Sequence, residues 1–192
     1  YQHIHFYDYQ AKAYQIGDAG ASGLGSALAQ CTNLSNLTLD LRESQIGDAG
    51  ASGLGSAIVQ CTNLSNLTLD LRSNKIGDAG ASGLGSALAQ CTNLSNLTLD
   101  FCYNKIGDAG ASGLGSALAQ CTNLSNLTLI LSQKYENQIG DAGASGLGSG
   151  IAQCTNLLNL TLDLSEEGFN QLKVENKCRQ SKRLVIFDIN FY

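Results

Sequence analysis

Methionine is absent from the 192 residues, and histidine occurs only twice. No stretch reaches the roughly 18 consecutive apolar residues that a membrane-spanning helix needs. With Tyr1 in the leading position, the missing methionine suggests a fragment or a processed product, and no secretory leader is visible in what is present. Two histidines and no recurring nucleophile–base pair offer little from which to build a catalytic centre, so no reaction, cofactor or metal is expected. His3 and His5 form an H-x-H pair that could begin a metal site, but no third histidine exists and the cysteines are not placed to complete one. They read as the solvated face of a strand.

Basic residues are scarce where the chain is longest. Residues 16–172 carry 13 acids against 5 bases, a net −8. Residues 1–15 balance Asp8 with Lys12, and residues 173–192 carry 5 bases and 2 acids, a net +3. Nucleic-acid affinity rests on neutralising phosphates, which an acidic body opposes. The cluster Lys173, Lys177, Arg179, Lys182 and Arg183 is too small and local to reverse that.

What the chain does have is a repeat. Residues 61–90, CTNLSNLTLDLRSNKIGDAGASGLGSALAQ, return as near copies beginning at Cys31, Cys91, Cys121 and Cys154, spaced by 30 residues and finally by 33. Within the unit Leu67, Leu69 and Leu71 alternate as on a strand with one buried face, and Leu64 precedes them. Ala81, Leu84, Leu88 and Cys91 then follow at helical spacing. A lone strand of eight residues and a helix of three or four turns cannot bury their apolar sides, whereas stacked copies share one core. The expected fold is therefore an α/β solenoid, a single domain over 1–192. It comprises a cap strand in 1–15, five repeats in 16–165, and a capping helix and strand in 166–192.

The series Leu64-x-x-Leu67, Leu69-x-Leu71-x-x-Asn74-x-Ile76, then IGDAGA and a helix running to Cys91, resembles a leucine-rich repeat of the ribonuclease-inhibitor-like subclass. The resemblance covers residues 16–172 closely. It implies a horseshoe with a parallel sheet on one face, helices on the other, and a protein-binding surface on the exposed sheet. The unit is slightly long for the subclass, with two extra residues in the strand. An even insertion keeps the two faces in register, but a ligand-contact pattern does not transfer. Similar long, nearly identical arrays occur among protist repeat proteins.

Five of the seven cysteines, Cys31, Cys61, Cys91, Cys121 and Cys154, occupy one position of successive units. Stacked helices lie about 8–10 Å apart, beyond the roughly 7 Å between Cα atoms that a disulfide tolerates, so buried thiols are expected. That favours a reducing compartment, the cytoplasm. The sequons at Asn33 and Asn36, recurring at 63/66, 93/96 and 123/126 and ending at Asn159, point the other way. Outside the cell they would be glycan acceptors, although glycans on strands about 4.8 Å apart would crowd.

Asp18, Asp48, Asp78, Asp108 and Asp141 stand at the helix starts and read as N-caps. The glycines behind them, such as Gly80, Gly83 and Gly85, match neither phosphate-loop pattern and read as small residues that let helices approach. A closer helix layer implies gentler curvature.

The outward strand positions form rows. One is Thr38, Thr68, Thr98, Thr128 and Thr161; the next is Asp40, Asp70, Asp100, Ile130 and Asp163; a third is Arg42, Arg72, Cys102, Ser132 and Ser165. With Tyr135 of the three-residue insertion, these rows are the candidate partner site. Neighbouring aspartates repel by about 1 kcal/mol per pair at water-like screening. Arg42 and Arg72 relieve this at one end. Less compensation is expected around Asp100 and Asp163, where raised carboxylate pKa values, a cation or a basic partner would fit.

The ends are aromatic: Tyr1, Phe6, Tyr7, Tyr9 and Tyr14 at the start, Phe187, Phe191 and Tyr192 at the finish. The first strand should turn Ile4 and Phe6 inward. The segment 166–183 reads as an amphipathic helix offering Phe169, Leu172 and Val174 or Cys178 to the core, and the closing LVIFDINFY is apolar on both faces. The functional expectation is a non-catalytic scaffold for an extended or repetitive protein partner. The alternative is a structural subunit joining end to end through Phe6, Tyr7, Tyr9, Phe187, Phe191 and Tyr192 into a filament.

Overall fold

A computed structural model describes residues 2–7, 15–132, 136–164 and 186–190. Seven strands form one sheet: β1 (Gln2–Tyr7), β2 (Leu34–Asp40), β3 (Asn66–Asp70), β4 (Asn96–Asp100), β5 (Asn126–Ile130), β6 (Asn159–Asp163) and β7 (Ile186–Asn190). They lie side by side in chain order, and every pairing is parallel. Among the described residues five helices cross over between them: α1 (Gly17–Leu28), α2 (Asp48–Ile58), α3 (Asp78–Leu88), α4 (Asp108–Leu118) and α5 (Asp141–Ile151).

The sequence period sets the register. Leu67 pairs with Leu37 and Leu97, and Leu69 with Leu39 and Leu99, so each copy faces its own equivalent. Across the longer last spacing Asn126 pairs with Asn159 and Leu127 with Leu160, so the insertion does not shift the ladder. The strand proper is shorter than the eight residues expected: β3 to β6 have five each. Leu64 lies before β3, its amide donating to Cys61 O at 2.9 Å in the turn from the helix. It still points inward, at 1% exposure.

Between sheet and helices the inward leucines meet the apolar helix faces in one continuous core. Ala81, Leu84 and Leu88 of α3 are buried there, as their spacing implied. The glycines permit the helix layer to close. A Cβ on Gly55 would stand 2.9 Å from Ala87 Cβ, and one on Gly115 only 2.7 Å from Leu147 Cα.

Two polar devices tie the units together. The first is a buried file of asparagines at 74, 104 and 137. Asn74 Oδ1 accepts the amides of Ser44 and Ile46 at 3.1 and 2.9 Å, and its Nδ2 donates to Leu41 O and Leu71 O at 2.8 and 2.9 Å. Asn104 and Asn137 repeat the arrangement, so this file too resumes after the insertion. The second corrects the expected N-caps. Asp48, Asp78, Asp108 and Asp141 are the first residues of their helices rather than caps preceding them, and no side chain of its own unit caps any of these helices. Asp48 instead reaches forward: its Oδ1 accepts Gly77 N–H and Gly80 N–H, at 2.7 and 2.8 Å, at the start of α3. Asp18, Asp78 and Asp108 do the same for α2, α4 and α5.

At the amino end Ile4 and Phe6 pack against the core as expected, and His3 is exposed. At the other end β7 continues the sheet, with Phe187 paired to Leu160 and Ile189 to Leu162. The expected helix over 166–183, the basic cluster, Cys178, Ser165, Leu184, Val185, Tyr1, Tyr9, Tyr14, Tyr135, Phe191 and Tyr192 lie outside the described residues. The side chains of His5, Tyr7 and Phe187 do as well.

Candidate functional site

Alternation along each strand sends one set of side chains to the core and the other outward. In β3 the inward Leu67 and Leu69 are buried while Asn66, Thr68 and Asp70 are half-buried on the opposite face. Since equivalent residues pair across the sheet, the outward set forms straight rows. Thr38, Thr68, Thr98, Thr128 and Thr161 stand in register, and so do Asp40, Asp70, Asp100, Ile130 and Asp163.

Beside the threonines runs a row that the sequence offers only as sequon positions: Asn36, Asn66, Asn96, Asn126 and Asn159. Asn66 Nδ2 donates to Asn36 Oδ1 at 2.6 Å, and Asn96 Nδ2 to Asn66 Oδ1 at 2.5 Å. Asn126 and Asn159 continue the file. These are the amides of the second sequon set, engaged along the sheet. Asn33, Asn63, Asn93 and Asn123 of the first set are exposed, with Asn63 Nδ2 bonded to Thr32 O at 3.0 Å.

The aspartate row is stitched by arginine further than expected. Arg42 Nη2 lies 2.6 Å from Asp40 Oδ2 and its Nε 3.4 Å from Asp70 Oδ2. Arg72 repeats this with Asp70 at 2.6 Å and Asp100 at 3.2 Å. Asp100, expected to be poorly compensated, is thus reached across the strands. The arginine side chains are 39–45% exposed, so each pair adds at most about 1 kcal/mol.

The expected rise in carboxylate pKa divides along the row. The hydrogen bond from the Arg42 side chain holds the Asp40 carboxyl below the usual range, outweighing its burial. Burial pushes Asp100 up, against the opposing effects of the Cys102 amide and Arg72. Cys102 stands where Arg42 and Arg72 stand in earlier units. Burial and the adjacent Asp100 raise its thiol to about 12.

The remaining thiols are small apolar groups within the core. No disulfide joins any two of the six cysteines among the described residues. Cys61 Sγ lies 3.4 Å from Leu28 O of the preceding unit and Cys154 Sγ 3.2 Å from Leu118 O. Among the described residues no group of three or more His, Cys, Asp or Glu is placed to hold a metal ion. No described helix is long and apolar enough to cross a membrane.

The leucine-rich repeat family matches three successive units, at residues 33–55, 63–85 and 93–115. Residues 33–115 therefore carry leucine-rich repeats. The match identifies the repeat and does not separate subclasses. No curated protein matches the sequence significantly. Among solved structures the leucine-rich-repeat array is similar to one titled leiomodin-1 actin-binding site 2, with a TM-score of 0.58 and 18% identity over 82% of this chain and 86% of that one. An internalin from Listeria monocytogenes shares 20% identity over 85% of this chain and 62% of its own, but a TM-score of 0.23 gives that likeness no structural weight. The first likeness bears on the fold alone.

Among the site residues read from sequence, the register groups the threonine and aspartate rows with Arg42 and Arg72 on one face. Phe6 turns into the core rather than toward a free edge. Tyr7 pairs in β1 with Asp40.

Proposed function

We propose that this leucine-rich-repeat array is a non-catalytic scaffold that binds a protein through the outward face of its parallel sheet. One observation carries the reading: outward residues from five consecutive strands are held in register, as continuous Asn and Thr rows and an Asp row broken once at Ile130. Such rows present the same hydrogen-bonding groups about every 4.8 Å, which suits an extended or repetitive partner. The leiomodin-1 segment is named for binding a protein, actin, which agrees with a protein partner as a class and goes no further.

Differential capture tests the reading. Protein carrying Thr68→Arg and Thr98→Arg should lose the partners retained by the unaltered chain, while Gln90→Lys with Gln120→Lys, on the exposed helix side, should keep them. Equal capture by both variants, with the fold intact by circular dichroism, would remove the sheet face as the site.

A second reading is supported by the open sheet, in which β1 and β7 are the edge strands. Edge strands carry backbone groups able to pair with another chain, and head-to-tail pairing of a solenoid gives filaments. Light scattering across a concentration series should then show growth that deletion of residues 184–192 abolishes. A monomer at every concentration would eliminate the filament.

A further inference from the structure

We draw no further inference here: the strongest candidate, the outward surface patch of β2 to β6 in which the threonine row runs between the asparagine ladder and the Arg42 and Arg72 ion pairs, belongs to the face already described, and nothing in the structure shows what covers it.

Discussion

From α2 to α5, each helix start is held by a carboxylate from the helix before it. Asp78 Oδ1 accepts the amides of Gly107 and Gly110 at 2.7 and 2.8 Å, placing negative charge where the amide dipoles of α4 converge. Local sequence shows Asp78 only as a residue at the start of α3, and near-identical copies conceal which unit a side chain serves. The cysteines were easier to read, because one position repeated five times at stacking distance has only burial as its common role. Burial raises the thiols of Cys91 and Cys121 to about 11, above the roughly 8.5 of an unfolded chain. The folded protein then holds protons that the unfolded one has released, so this contribution to stability is complete below about pH 8.5 and is lost as pH rises through 11. Denaturant midpoints between pH 7.5 and 11 should fall more steeply for the unaltered chain than for Cys91→Ala with Cys121→Ala. Parallel slopes would show that the thiols are not the cause.

Among the elements, helices and strands contribute differently. A helix carrying Gly80, Gly83 and Gly85 has weak intrinsic propensity, and it persists because neighbouring helices close on the vacant Cβ positions. That makes the glycines unequal. Gly115→Ala would place its methyl 2.7 Å from Leu147 Cα and should lower stability by about 1–3 kcal/mol. Gly23→Ala meets nothing within 4 Å and should raise it by about 0.4–1 kcal/mol. Thermal or urea unfolding of the two variants checks both signs. A stabilised Gly115→Ala would mean that the helices stand further apart than described. The threonine and aspartate rows were legible because period and alternation together fix register. The asparagine row was missed because its ladder exists only between strands, and a single strand shows Asn66 as one more polar residue. The reach of Arg72 to Asp100 escaped for the same reason.

The molecule as a whole is an open array whose repeats specify its sheet more completely than its partner. Five near-identical units announced the solenoid, and no side chain outside them was needed to infer it. The candidate site was legible only as a face, since the reach of Arg42 to Asp70 and of Arg72 to Asp100 exists only between neighbouring units. The account's central claim is that this face, and not the helix layer, binds protein. Calorimetric titration of the captured partner against Asp70→Lys with Asp100→Lys, and against Gln90→Lys with Gln120→Lys, tests it most directly. At least a tenfold weakening confined to the aspartate variant, about 1.4 kcal/mol or more, is the predicted result; unchanged affinity there, or an equal loss in the helix-side variant, would contradict it.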